Sequence, residues 1–302
     1  MQYDICGLGA SVLDYITIVD EFPGHEGVYE VKNSVLQGGG PVATALVAAS
    51  KLGARTAAIA AVGDDWRSAL ILNELQQHGV ETKFIKVNPG YEIGMATIHV
   101  RKRDGARAIV FSQPTATELI DPAQQRDLVK KSKILHINGR YLPECLELSS
   151  FAQKNDVKVS FDGGAGRYRA ELDELLPLVD YLVVAHDFAE KWLGPGKDMC
   201  DYTHSMMAQG AELAIITQGA QGSYIQTKDR FFHQPAYAIE QIKDTTGCGD
   251  IYHGALLYAL SQNWEVEKAV MLASICAALK AQHLGGRGYL ASLEEAIARF
   301  PQ

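Results

Sequence analysis

The sequence predicts an α/β fold with a mainly parallel central sheet into which a small second sheet is inserted. Three observations carry that prediction. Short continuous apolar runs alternate with amphipathic segments of helical period through most of the 302 residues. Two segments break that rhythm and alternate in strand fashion instead. Finally, the glycine-rich stretch Asp244-Thr245-Thr246-Gly247-Cys248-Gly249-Asp250 runs into an apolar helical pattern (Ile251, Gly254, Ala255, Leu257, Tyr258), and a helix N-terminus behind a tight glycine turn is a ready anion site.

Taken in chain order, buried strands are expected at 3–7, 56–62, 134–137, 157–161, 181–184 and 213–217. Amphipathic helices are expected between them at 68–78, 122–130, 144–154 and 170–178. The eleven-residue, largely apolar stretch 269–279, flanked by Lys268 and Lys280, predicts a buried helix, since a membrane span needs about 20. The rhythm breaks at 16–36 and 91–111, which read as a small antiparallel sheet. The second of these carries Arg103-Asp104-Gly105-Ala106, a hairpin-turn signal.

Composition bounds the function. With 47% hydrophobic residues the chain can bury a large core. A net charge of −8 argues against nucleic acid or an anionic membrane as the main partner. The opening residues have no basic region and no long apolar run, so no signal peptide is expected. Five scattered cysteines without a C-x-x-C pair suit reduced thiols and a cytoplasmic location.

The chemistry concentrates in 244–250. Amides of Gly247, Cys248 and Gly249 at a helix start would attract negative charge, and Asp250 would stand at the mouth of that nest. An anion hole beside a carboxylate suits phosphoryl transfer to an alcohol. The plainer alternative is a tight turn with an acidic residue in the first helical turn. Cys248 reads either as a small residue whose amide alone matters or as a thiol with a lowered pKa at a helix N-terminus.

These seven residues resemble the D-T-x-G-A-G-D signature of the ribokinase-like (PfkB) carbohydrate kinases, and four further motifs agree in order. They are Ile5-Cys6-Gly7-Leu8-Gly9 leading to Asp14, Gly38-Gly39-Gly40-Pro41 with Ala43-Thr44-Ala45, Val62-Gly63-Asp64-Asp65, and Thr217-Gln218-Gly219-Ala220-Gln221-Gly222. The resemblance implies a three-layer α/β/α core over 1–15, 37–90 and 112–302, with a β-sheet lid from 16–36 and 91–111. It also implies an ATP-dependent, Mg²⁺-assisted sugar kinase. Asp250 would be the base, the Gly247–Gly249 amides the anion hole, and a homodimer would form through the lid. Asp14, Gly39, Gly40 and Thr44 would hold the sugar, while Thr217, Gly219, Gly222, Thr245, Gly247 and Cys276 would hold ATP. Glu190, in the place of the family's N-x-x-E glutamate with Asp187 replacing the asparagine, would influence Mg²⁺ indirectly.

The acceptor is the open question. Thr44 replaces an asparagine that many members use on the sugar, and the G-G-G-P-x-A-T-A form is similar to bacterial sulfofructose and related ketose kinases. By that likeness Arg140 could clamp an anionic group, or equally serve a structural ion pair. Yet Val28 stands where those kinases carry a basic lid residue. A nucleoside kinase would need stacking aromatics, for which Tyr15, Tyr29 and Phe111 are available. A non-catalytic sensor on a kinase fold is the remote alternative. A dehydrogenase reading of Gly7-Leu8-Gly9-Ala10-Ser11-Val12 lacks the third glycine and leaves 244–250 unexplained. His253, one turn after Asp250, has helix packing as its simplest role.

Overall fold

The computed structural model describes residues 1–301. Its strands are β1 (Tyr3–Leu8), β2 (Val12–Val19), β3 (Asn33–Gly39), β4 (Thr56–Gly63), β5 (Val80–Glu81), β6 (Ile85–Asn88), β7 (Gly94–Arg101) and β8 (Arg107–Ser112), followed by β9 (Ser132–Ile137), β10 (Lys158–Gly163), β11 (Tyr181–Ala185), β12 (Leu213–Thr217), β13 (Ser223–Thr227) and β14 (Phe231–Gln234). The helices are α1 (Pro41–Lys51), α2 (Trp66–Gln77), α3 (Pro122–Lys130), α4 (Leu142–Gln153), α5 (His186–Leu193), α6 (Met199–Met207), α7 (Cys248–Ser261), α8 (Val266–Ala281) and α9 (Leu293–Ile297).

The large sheet runs β14-β13-β12-β11-β10-β9-β1-β4-β5, with β6 also on β4. It is parallel from β12 across to β5 and β6. Only the β13–β14 ribbon at one edge is antiparallel. Parallel strands covered on both faces need apolar residues at every position; β4, Thr-Ala-Ala-Ile-Ala-Ala-Val-Gly, is buried throughout. Successive residues feed two separate cores. Ile134, Val183 and Ile215 pack with α1, α7 and α8, while Leu135, Val184 and Ile216 pack with α4, α5 and α6. That alternation is the three-layer α/β/α arrangement.

The second sheet, in the order β3-β2-β7-β8, is the small inserted sheet expected to form the lid. It is mixed where a purely antiparallel sheet was expected, because its two central strands, β2 and β7, are parallel. Both leave the same edge of the core, after β1 and after β6, so they set out in the same direction. It also reaches further into the chain than the lid segments 16–36 and 91–111, since β2 begins at Val12 and β3 ends at Gly39. Asp14 therefore sits on a lid strand. The predicted helix at 170–178 is instead two short 3-10 turns, Ala170–Glu174 and Leu176–Leu178. Pro177 lacks the amide that a continuous α-helix would require there.

α1 and α7 cross where Gly254 faces the Ala45 carbonyl and the Ala48 methyl, leaving no room for a Cβ. Gly254→Ala is therefore expected to destabilise the fold by about 1–3 kcal/mol through overpacking, read as a lower denaturant midpoint with an unchanged slope.

Candidate active site

The C-terminal ends of the parallel strands lie along one edge, where doubly wound sheets gather their ligands. α7 begins there. Its cap, Gly247, is left-handed at φ 74°, and a Cβ on it would lie 2.6 Å from Gly286 Cα. The turn before it is held by Asp244, which is fully buried. Oδ1 accepts from the Thr246 amide at 2.8 Å and the Thr246 hydroxyl at 2.6 Å, and Oδ2 accepts from the Gly285 amide at 2.8 Å. Lys280 of α8, also fully buried, donates its ammonium to the Asp244 carbonyl at 2.8 Å. The amides of the first helical turn lack intrahelical acceptors. Of the three expected in the anion hole, Cys248 N–H turns back to the Thr245 carbonyl at 3.3 Å.

Asp250 follows in the first turn of α7. Burial pushes its carboxyl above the ordinary range, and the negative charge of Asp162 pushes the same way, against Arg167, His253 and Arg287. Asp14, 8% exposed, lies within the same field and is raised to about 7, chiefly by burial. Gly39 leaves the space that the Asp14 carboxylate occupies. Gly40, at φ 94°, turns the chain into α1, with Pro41 opening the helix.

Further along the edge, β12 ends at Thr217 and a turn follows. Gly219 and Gly222 have φ of 54° and 91°, and Gln218 N–H donates to the Gly222 carbonyl at 2.8 Å. Thr245 is exposed on the neighbouring loop. In the lid hairpin, a Cβ on Gly105 would lie 3.7 Å from the Lys243 carbonyl, so the lid reaches the loop that leads into Asp244.

A pfkB family carbohydrate kinase model matches residues 2–291. The chain belongs to that family. It is similar to a deoxyribokinase of Salmonella typhi, 24% identical over 97% of both chains. It is also similar to a 5-dehydro-2-deoxygluconokinase of Halalkalibacterium halodurans, 25% identical over 97% of this chain and 93% of that one. The ribokinase of Arabidopsis thaliana, solved with ribose and ATP, covers 100% of both chains with a TM-score of 0.86 at 19% identity, a likeness of fold. None of these three is a sulfosugar kinase.

The PfkB chain is thus a kinase, and several residues singled out from sequence sit elsewhere than expected. Cys276 is 3% exposed and packs with Ala48, Ile251 and Ala255, so its thiol belongs to the core and not to a nucleotide surface. Cys248 departs from the lowered-pKa reading, since burial pushes its thiol up and Lys280 opposes only in part. Thr44 is 2% exposed and its hydroxyl accepts from Arg287 Nε at 3.1 Å, which places an arginine in its reach. Asp65 caps α2 through the Ser68 amide, a structural task. Of the three aromatics considered for stacking, Phe111 is 63% exposed and Tyr29 pairs edge-on with His25. Arg140, past the end of β9, has its guanidinium 5.9 Å from the Tyr141 ring centre. Glu190, on α5, lies 3.9 Å from His186.

Sequence reasoning missed Arg287 and Arg167. Arg287 is 7% exposed, donates to Thr44, to the Gly39 carbonyl at 3.2 Å and to Glu74 at 3.0 Å, while Glu74 accepts from the Gly38 amide. An arginine inside Gly285-Gly286-Arg287-Gly288 was the available signal. Arg287→Met strands the partly buried Glu74 carboxylate and frees the β3–α1 turn. Breaking a buried pair costs about 3–5 kcal/mol, so a large fall in melting temperature is expected, with a smaller one for Arg287→Lys.

Proposed function

We propose that this kinase transfers the γ-phosphoryl group of Mg·ATP to a primary hydroxyl of a small sugar or sugar derivative, with Asp250 as general base. The observation that carries the reading is the placement of Asp250. Its carboxyl stands in the first turn of α7, behind the left-handed Gly247 turn, and shares an electrostatic field with Asp14. Asp14, Gly39 and Gly40 would hold the sugar, and Thr44 would act by seating Arg287. ATP would lie along the turn at Thr217, Gly219 and Gly222 and against Thr245 and Gly247. Asp250, kept basic by burial, would take the hydroxyl proton as that oxygen attacks the γ-phosphorus. The Gly247 and Gly249 amides would face the charge that develops on the phosphoryl oxygens.

Magnesium fits this site as a companion of the nucleotide. Among the described residues no three acidic, histidine or cysteine side chains converge on a metal position, whereas Glu190 and Asp187 stand half-buried in α5, just after β11. Mg²⁺ would shield the phosphate charge, mostly on ATP oxygens, with Glu190 acting through water.

The acceptor's class divides two ways. Neutral pentoses are suggested by the deoxyribokinase relative, and an anionic sugar acid by the 5-dehydro-2-deoxygluconokinase relative. The second is favoured by Arg140 and Arg167, neither of which is in an ion pair among the described residues. Coupled ADP release should be measured with Mg·ATP against ribose, deoxyribose, fructose, 5-dehydro-2-deoxygluconate, sulfofructose and adenosine. One acceptor is expected to turn over, and Asp250→Asn to slow it ~10²–10⁴-fold. An Asp250→Asn variant as fast as the parent would sink the assignment of the base, and ATP binding without any turnover would favour the sensor.

A homodimer through the lid completes the proposal, in a reducing, ATP-supplied compartment such as the cytoplasm. β3 and β8 are both open edges, and Ile109, Val110 and Phe111 of β8 are 53%, 69% and 63% exposed, an edge that invites pairing. Light scattering is expected to give twice the chain mass, and Val110→Asp to give the monomer.

A further inference from the structure

On the sheet face covered by α7, the otherwise apolar interior contains a polar row. His136 of β9 pairs in register with Ser160 of β10, and Asp162 lies two residues further along, on the same face. His253 of α7 closes the row from above, its Nε2 3.4 Å from Asp162 Oδ1. All four side chains are buried: Asp162 is 4% exposed, His253 5%, and His136 and Ser160 fully enclosed. His136 Nδ1 lies 3.3 Å from Ser160 Oγ, and the two imidazoles are 5.4 Å apart between ring centres.

This row is costly. Among the described residues His136 Nε2 and His253 Nδ1 have no hydrogen-bond partner, and an unpaired buried polar atom typically costs ~1–3 kcal/mol. Apolar side chains would fill the same space without that cost, so packing alone gives no reason for the row. Its position gives one. His253 is one helical turn from Asp250, and its partner Asp162 is the last residue but one of β10.

We propose that Asp162, held by His253 one helical turn from Asp250, is a positioning residue for the base: a fixed negative charge that shapes the field in which Asp250 takes up a proton. This rests on the reading of Asp250 as base. The charge balance supports it. Burial alone would raise the Asp162 carboxyl, yet the hydrogen bond and attraction of His253, together with Arg167 and His136, outweigh it and hold the group well below the usual carboxylate range. His136 is depressed to about 3 by burial and by its neighbour His253, so it packs there as a neutral ring. Other charges also face Asp250. Asp14 of β2 adds to its repulsion, while Arg167 of the loop after β10, His253 of α7, Arg287 of the loop after α8 and the Lys280 ammonium of α8 oppose it. A base raised in this way takes up a hydroxyl proton more readily, and stays ionised only above its raised pKa.

The test is a carboxyl-¹³C aspartate NMR titration of the full chain, which needs no acceptor. The signal lost in Asp250→Asn identifies the base. In the parent it is expected to titrate above the ordinary carboxylate range. Asp162→Asn removes the neighbouring charge and should move it down by about half a unit or more, while Asp162→Glu should keep it near the parental position. Where an acceptor is turned over, the acid limb of kcat/KM should move down with it. His253→Gln should alter the titration more in the parent than on top of Asp162→Asn, as coupled residues do. An Asp250 titration identical in the parent and Asp162→Asn would overturn the proposal, because a purely structural role moves stability and not this signal. If Asp162→Asn does not fold, Asp162→Ser, which leaves room for water, gives the same reading. Active Asp250→Asn enzyme would refute the base assignment alone, leaving the measured coupling to stand separately.

Discussion

The site depends on one buried carboxylate, Asp244, and on what it holds together. Its side-chain oxygens take the Thr246 amide and hydroxyl and the Gly285 amide, and its carbonyl takes the Lys280 ammonium. The chain on either side of α7 and α8 is thereby tied into one unit. The left-handed Gly247 turn, the helix N-terminus and Asp250 inherit their positions from it. A side chain with no exposure needs hydrogen bonds in place of the lost water, and here three donors supply them. The rigidity that an anion hole needs, with donors fixed before charge develops, follows from that satisfaction.

Arg287 extends the same logic to the turn between β3 and α1. Its guanidinium joins the start of α1 through Thr44, the end of β3 through the Gly39 carbonyl, and α2 through Glu74. The fork geometry of arginine is what lets one side chain serve three elements. Because β3 belongs to the lid sheet and α1 to the core, this residue is a joint between the two. It also lowers the charge repulsion between Asp14 and Asp250, opposing the rise of both carboxyls.

Much of the architecture was legible because its signals are local. Strands buried on both faces, such as β4 and β12, read as apolar runs, and α3 appears at 122–130 as its amphipathic pattern predicts. What could not be read depends on long-range contacts or on backbone detail. The parallel pairing of β2 with β7 is decided by where two insertions leave the core. The turns at 170–178 carry an amphipathic pattern that one proline overrides. Cys276 looked suited to a nucleotide because of its position in the motif order, but helix phase directs it into the core between Ala273 and Leu279. Arg287 meets Thr44 across 243 residues of sequence, a juxtaposition no spacing rule can give.

The overall charge and the site charge point in opposite directions, and the site decides. A chain of net charge −8 would repel ATP and an acidic sugar if its charges were spread evenly. Instead Arg140, Arg167, Arg287 and Lys280 collect at the edge where the parallel strands end, with helix amides among them. In water such a field is screened within about 8–10 Å, so remote acidic residues count for little beside cations in contact. Inside the edge, burial weakens that screening. The negative charges placed there, Asp14, Asp162 and Asp250, are therefore costly enough to need a reason. Two of the three are the residues proposed to meet the acceptor. The third, Asp162, is enclosed, and its reach is through the electrostatic field it shares with Asp250.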